Sequence, residues 1–140
     1  MKILFDTNVV IDFFHHPDKI ESFGTKARRQ LIFMSSVFIM KLAAGCRTTV
    51  QIRSLQEFLK PFERADRIIV PDLKTFRESA QVLAKFGSAA VGIATRRQIS
   101  NDVLIAVSAA KAGLVVVTAN ARDFSRIEKQ TPMRWMLPED

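Results

Sequence analysis

Three aspartates carry the clearest chemistry of this sequence. Asp6 directly follows the apolar run 3–5, and Asp123 follows the apolar run 114–117 after a short polar turn. Asp102 opens an apolar segment that leads into the second of these runs. Carboxylates that come close together repel one another unless they are protonated or hold a cation. Their hard oxygens favour Mg²⁺ or Mn²⁺, ions with which proteins hold and attack phosphodiesters.

The apolar runs predict that these acids meet at one edge of a parallel sheet. Runs without polar alternation, typical of strands covered on both faces, occur at residues 3–5, 31–34, 68–70 and 114–117. Ligands bind beyond the carboxyl ends of such strands, where Asp6 and Asp123 lie. Ser100 is expected to cap a helix at 101–110, which puts Asp102 in the first turn on the same side. Two alternatives remain: Asp6 caps the helix that follows it, and Asp102 is favoured there by the helix dipole.

Helices are predicted between the strands, so the fold class is α/β with right-handed crossovers. The helical segments are expected at residues 9–14, 36–44, 48–64 and 73–86, with a last extended segment at 133–137. Gly45 is expected to end the second helix, and Pro61 to distort or shorten the third. An apolar stripe of Phe76, Ala80 and Leu83 is expected to face the core from the fourth helix.

Two polar segments are interpreted as surface structure. His15 and His16 are adjacent, so they point apart and indicate a solvated turn and not a metal site. Asp18 is expected to cap a helix with basic residues near its end, up to Arg29. Residues 88–98, small and then basic, are interpreted as a loop.

Lys41 is the unusual residue among the predicted helices. It is the only charge in the segment 36–44, which is apolar nearly all round and is therefore expected to be buried. An ammonium in such surroundings needs a carboxylate partner or a path to water.

Composition places the chain among globular proteins of one domain. It has 140 residues, of which 48% are hydrophobic and 25% charged, so a single domain spanning 1–140 is expected. No apolar stretch is long enough for a membrane span or a signal peptide. The one cysteine, Cys46, forms no internal disulfide, which favours a reducing, cytoplasmic setting.

The charge balance suggests a polyanionic partner. The formal net charge is +7, with a pI of about 10.1. The arginines Arg96, Arg97, Arg122 and Arg126 form a predicted basic rim near the acidic edge, suited to an anionic polymer. The alternative is a basic surface without a dedicated partner.

Four motifs together resemble PIN-domain nucleases, in particular the VapC-like toxins of toxin–antitoxin modules. They are Asp6-Thr7-Asn8, Ser35-Ser36 leading to Leu42-Ala43-Ala44-Gly45, Asn101-Asp102 followed by Leu104-Ile105-Ala106, and Thr118-x-Asn120-x-x-Asp123-Phe124. They occur in the family's order and span nearly the whole chain.

The resemblance implies a three-layer sandwich with a five-stranded parallel sheet and Mg²⁺- or Mn²⁺-dependent cleavage of RNA. It also implies a homodimer and inhibition by a cognate antitoxin protein. Carried over by position, Asp6, Asp102 and Asp123 are expected to be metal-site acids. Thr118 and Asn120 are expected to fix the geometry of the site, to which Asn8 also contributes.

One position departs from the family pattern. The helix after Ser35-Ser36 normally carries a glutamate just before the Leu-x-x-Gly segment, and this chain has Lys41 there. The site changes by two charge units. At an effective dielectric constant of about 20 and a separation of about 5 Å, each unit charge pair is worth roughly 3 kcal/mol. We therefore expect weak metal binding and reduced or absent cleavage. The alternative is that Lys41 pairs with Asp6 or Asp102 and partly replaces the metal.

Three functions are compatible with these residues. The first is a metal-dependent RNA endonuclease, and the second a catalytically inactive module of the same fold that binds antitoxin or RNA. Lys41 favours the second. The third is a phosphatase of another α/β type with Asp6 as nucleophile. Such enzymes usually carry a second aspartate two residues on, where this chain has Asn8.

Overall fold

A computed structural model provides the structure of the chain. It describes residues 1–16, 18, 31–86 and 93–138, and for 93–98 the backbone alone. The strands are β1 (Lys2–Phe5), β2 (Leu31–Ser35), β3 (Ile68–Ile69), β4 (Val115–Val117) and β5 (Arg134–Met136). The helices are α1 (Thr7–His15), α2 (Ser36–Gly45), α3 (Thr49–Arg64), α4 (Leu73–Ala84), α5 (Ile93–Lys111) and α6 (Ala121–Glu128).

The five strands form one parallel sheet in the order β3-β2-β1-β4-β5. Alternate residues of its central strands supply two separate cores. Ile3 and Phe5 point to the layer of α1, α2 and α3. Leu4 and Val116 point to the layer of α4, α5 and α6. The α/β class, the parallel sheet and its three layers are therefore confirmed.

The start of α5 corrects the predicted loop. The helix begins at Ile93, so the loop predicted at 88–98 is wrong for its second half, whereas residues 88–92 lie outside the described residues. Ser100 lies inside the helix and does not cap it. Asp102 lies in the third turn instead of the first, so the helix dipole at an N-terminus does not explain it.

Helix α2 is less buried than the sequence indicates. Val37 and Phe38 are buried, but Met40 is 61% exposed and the end of the helix lies at the surface. Lys41 is half-buried, not enclosed. Gly45 is the last helical residue, so the helix ends at this glycine as predicted, and the extended C-cap residue Cys46 follows it.

The apolar stripe predicted for α4 is also wrong. Phe76 is 52% exposed and Ala80 is exposed, while Leu83 is half-buried. The residues that face the core are Thr75, Ser79 and Val82.

The remaining predicted elements agree with the structure, apart from their ends. Asp72 caps α4 through hydrogen bonds from the backbone N–H and the hydroxyl of Thr75. Helix α3 passes through Pro61 and ends at Arg64, so the expected early end of this helix at the proline is wrong. Strand β3 stops one residue earlier than predicted, before an exposed Val70. The helix expected after Asp18 lies outside the described residues.

Candidate functional site

The ends of β1 and β4 bring Asp6 and Thr118 together. Phe5 pairs with Val117 in the sheet, so the next residue of each strand emerges at the same edge. The backbone N–H of Asp6 donates to the carbonyl of Val117 at 2.9 Å. The hydroxyl of Thr118, itself fully buried, donates to Oδ2 of Asp6 at 2.8 Å.

Asp6 is surrounded by hydrogen-bond donors. Its side chain is 3% exposed. Oδ1 accepts from the backbone N–H of Thr7 at 2.8 Å, and Oδ2 accepts from the Asn8 amide at 3.4 Å as well as from Thr118. Asp6 is also the N-cap of α1. The capping interpretation and the cluster interpretation of this residue are therefore both correct.

Asn120 joins the other two aspartates. It caps α6, and its Nδ2 donates to Oδ2 of Asp123 at 2.9 Å and to Oδ2 of Asp102 at 3.3 Å. Its backbone N–H donates to the hydroxyl of Thr118 at 3.0 Å. A continuous chain of hydrogen bonds thus connects Asp6, through Thr118 and Asn120, to Asp102 and Asp123. We call the three aspartates the acidic cluster.

The surroundings of the acidic cluster raise the pKa of Asp102. Burial of this side chain, which is 3% exposed, is the largest cause that raises its pKa from 3.8 to about 7. The charge of Asp6 is the next cause, while Lys41 acts against it and lowers the pKa. Asp123 adds a further upward contribution through its charge and a side-chain hydrogen bond. Near neutral pH, Asp102 is therefore close to half protonated.

The Asn8 side chain bonds to the backbone of the turn after β4 as well as to Asp6. Its Oδ1 accepts from the backbone N–H of Ala119 at 3.2 Å, so it ties the start of α1 to the turn after β4. Main-chain donors carry no sequence signal of their own, so the hydrogen bond from the Thr7 backbone N–H to Asp6 was indicated only by the capping alternative at Asp6.

The residues of the cluster fit a hard divalent cation by their chemistry. Their carboxylate oxygens are the ligands that Mg²⁺ and Mn²⁺ prefer, and their mutual repulsion is what a cation would relieve. The Thr7 hydroxyl, next to Asp6 in the chain, is buried without a hydrogen-bond partner among the described residues. The described part of the chain nevertheless holds no set of three acids, histidines or cysteines already arranged around a metal position. The Asn120 amide is hydrogen-bonded to two of the acids, Asp102 and Asp123.

Two of the four arginines in the predicted basic rim have side chains within the described residues. Arg122 is exposed on α6. The guanidinium of Arg126 lies over the ring of Phe86, 5.6 Å from its centroid, so this arginine also has a packing role. Arg96 and Arg97 lie on the first turns of α5, and their side chains fall outside the described residues.

Comparison with known families decides what kind of fold presents this cluster. The sequence model of the PIN domain matches residues 3–130. The chain belongs to the PIN domain family. This membership excludes the other α/β type that the phosphatase hypothesis assumed. No curated protein sequence matches this PIN domain.

Solved structures of toxin–antitoxin complexes contain similar chains. A chain of VapBC2 from Rickettsia felis, bound to a DNA fragment from its promoter, has 23% identity and a TM-score of 0.68, with coverage of 99% of this PIN domain and 100% of that chain. A chain of DNA-bound VapBC from Salmonella typhimurium has 26% identity and a TM-score of 0.65, with 98% of each chain covered. FitAB bound to an IR36 DNA fragment has 18% identity and a TM-score of 0.66, with 99% and 95% covered. This PIN domain thus has the fold of VapC-like toxins.

The helices of this PIN domain are short or polar compared with membrane spans. Within the described ranges, no helix combines the length and the apolar character that a bilayer requires.

Proposed function

We propose that this PIN domain is a divalent-metal-dependent RNA endonuclease, the toxin of a type II toxin–antitoxin pair. The observation that carries the proposal is the convergence of Asp6, Asp102 and Asp123 at the carboxyl edge of the sheet. Family membership supports nuclease chemistry at such an edge. The net charge of +7 suits a polyanionic substrate.

In this proposal, Asp6, Asp102 and Asp123 hold Mg²⁺ or Mn²⁺. Such an ion, when bound, neutralises phosphate charge and makes water a better nucleophile. The Thr118 hydroxyl and the Asn120 amide orient the carboxylates through the hydrogen bonds already described. Lys41 weakens the attraction of the cluster for a cation. We therefore expect that a high concentration of the metal ion is needed to occupy the site.

Three partners follow from the proposal. RNA is the substrate, and the basic rim is the expected path for its phosphates. A cognate antitoxin is supported by the similar chains found in VapBC and FitAB complexes. A homodimer is expected from the resemblance to VapC-like toxins. The proposed setting is the cytoplasm.

The proposal is tested by RNA cleavage in Mn²⁺ and in chelator, compared with two variants. Wild-type protein is expected to cleave slowly with Mn²⁺ and not at all in chelator. Asp6→Asn, which keeps the shape but removes a ligand charge, is expected to lose cleavage. Lys41→Glu is expected to cleave faster than wild type, because it supplies a fourth carboxylate.

The second candidate function is a non-catalytic module that binds antitoxin or RNA. The observation that favours it is Lys41, whose positive charge acts on Asp102, one of the acids that would hold the ion. If neither wild type nor Lys41→Glu cleaves RNA at saturating Mn²⁺ while both still bind it, this function replaces the nuclease.

The proposed dimer is tested by light scattering. Phe76 is exposed on α4 and is available to a partner surface. Phe58, in contrast, packs within the protomer, 5.2 Å from Phe14 and 5.5 Å from Phe62 between ring centroids. Only monomer at tens of micromolar would contradict the dimer, and the control Phe76→Ser is expected to weaken association.

The RNA path is tested by salt dependence of binding. Replacing Arg96 and Arg97 by alanine is expected to reduce the slope of log affinity against log salt by about one unit for each phosphate that the protein no longer neutralises. An unchanged slope would place the RNA path elsewhere on the surface.

A further inference from the structure

Lys41 lies on the side of α2 that faces the protein. Val37 and Phe38 are buried, and Lys41 follows them by four and three residues, which places it on the same face of the helix. Helix α2 starts from the buried N-cap Ser35, at the end of β2 and beside β1. The helix therefore begins at the same sheet edge as the acidic cluster.

Helix α2 also packs against α5, the helix that carries Asp102. The inward face of α2 and its packing on α5 therefore place Lys41 on the side of the helix that faces the acidic cluster. In agreement with this placement, Lys41 lowers the pKa of Asp102, against the upward effects of Asp6 and Asp123. Among the described residues, no side chain forms a direct ion pair or hydrogen bond with Lys41. Within that part of the chain, its charge is therefore left to act on the cluster through space.

The hydrogen bonds of the cluster are supplied by uncharged groups. Thr118, Asn120 and the backbone N–H of Thr7 donate to the three carboxylates, but none of them carries a positive charge. Neutral donors stabilise each carboxylate but do not cancel the repulsion between them. Protonation or a cation relieves that repulsion, and Lys41 is the cation that acts on Asp102 within the described part of the chain.

We propose that Lys41 is the resident counter-cation of the acidic cluster, and that a divalent ion binds there in competition with its ammonium. The inference deepens the proposed function, since it concerns the same three acids. It has two consequences: the apo protein is stabilised by Lys41, and metal affinity is lowered by it.

The test uses metal affinity and apo stability, with no cleavage assay. Lys41→Met and Lys41→Gln remove the charge without supplying a carboxylate. Both are expected to bind Mn²⁺ at least about tenfold more tightly than wild type in titration calorimetry at pH 8. In chelator, both are expected to melt several degrees lower than wild type, because the acids lose their cation.

Two controls separate this role from a general effect of charge. Lys60→Met removes an ammonium on the exposed side of α3, where Lys60 pairs only with Glu57 at 2.7 Å. It is expected to bind Mn²⁺ within about twofold of wild type. Lys41→Arg keeps the charge and is expected to keep the weak affinity and the apo stability of wild type.

The inference is overturned if both neutral Lys41 variants bind Mn²⁺ within about twofold of wild type, or if their melting temperatures in chelator are unchanged. Lys41 would then extend to solvent, away from the acids. This result is independent of the proposed function. RNA cleavage by Lys41→Glu tests the nuclease, whereas Mn²⁺ affinity of Lys41→Met and Lys41→Gln tests the counter-cation.

Discussion

The junction of β1 with α1 and the middle of α5 each bury one aspartate, and the two are supported very differently. Asp6 and Asp102 are both 3% exposed. Asp6 accepts hydrogen bonds from a backbone N–H, a hydroxyl and an amide. Asp102 accepts from one amide of Asn120, which is shared with Asp123.

The difference shows what each carboxylate depends on. Asp6 accepts from donors that belong to the fold, whatever else is bound. Asp102 has few donors and two anionic neighbours, so burial and repulsion raise its pKa to about 7. It keeps its charge only where protons are scarce or a cation is near. The cluster therefore combines one carboxylate that the fold supplies with several donors and one whose charge responds to its surroundings.

The largest expected effect is the stabilisation of the protein by Asp102→Asn at high pH. Below pH 3.8, Asp102 is protonated in both the folded and unfolded states, and no penalty exists. Between 3.8 and about 7, the unfolded chain ionises first, so wild-type stability falls as pH rises, and above that range the penalty is complete. A pKa raised this far corresponds to about 4 kcal/mol. Asparagine does not ionise and escapes the penalty.

Urea denaturation of both proteins in chelator, at pH 5 and pH 8, measures this effect. The advantage of Asp102→Asn over wild type should grow from pH 5 to pH 8. The matched variant Asp72→Asn changes an exposed cap, whose pKa is lowered mainly by its hydrogen bonds with Thr75, so it should show no such growth. An advantage for Asp102→Asn that is equal at both pH values would contradict the raised pKa.

A smaller effect, a loss of unfolding free energy, is expected for Thr118→Val, which removes one of the donors to Asp6. Valine has the same shape, but it removes the donor to Asp6 and the acceptor of the Asn120 backbone N–H. Leaving these buried groups unpaired should cost about 3 kcal/mol of unfolding free energy. Thr118→Ser is the control, since it keeps the hydroxyl and loses only a methyl, at about 1 kcal/mol. If valine is tolerated as well as serine, the hydrogen bond to Asp6 does not support the cluster.

The smallest effect is expected for Asn8→Ala. Its bonds to Asp6 and to the backbone of Ala119 are long, at 3.4 and 3.2 Å, and alanine favours the helix. The net loss in unfolding free energy should stay below about 1 kcal/mol. The reference variant is Asn101→Ala, at the helical asparagine directly before Asp102. It should leave the unfolding free energy unchanged or increase it. A loss at Asn8 as large as that of Thr118→Val would show that this amide, too, is essential to Asp6.

The pattern of apolar residues was enough to predict the sheet edge and much of the cluster. Continuous apolar runs of this length are typical of strands covered on both faces, so the residue after each run was expected at a carboxyl end. That argument placed Asp6 correctly and put Asp123 near it. Order and spacing of the four motifs were enough to predict the fold that the PIN domain match confirms. The metal, the RNA and the roles of the site residues stay predictions.

Tertiary structure decided which face of α4 is buried. Phe76 is more apolar than Thr75 or Ser79, but Phe76 is exposed. The residues of α4 that are buried are Thr75, Ser79 and Val82. Helix α4 packs closely on α5, and small side chains allow that approach. The serine hydroxyls on both helices donate to carbonyls one turn earlier, at 2.7 Å for Ser79 and 2.6 Å for Ser108. Their burial therefore leaves no unpaired hydroxyl at these two serines, a compensation that hydrophobicity patterns do not register.

Tertiary structure also decided the setting of Asp102 and Lys41. The sequence suggested a cap at Ser100, but the helix continues back to Ile93, because capping residues inside a helix are tolerated when packing favours its extension. Asp102 therefore reaches the cluster from the side of a long helix, and Lys41 from a half-exposed one. Residue types determined which charges were available. Their burial, and hence their pKa values and mutual influence, arose only when the helices packed against the same edge of the sheet.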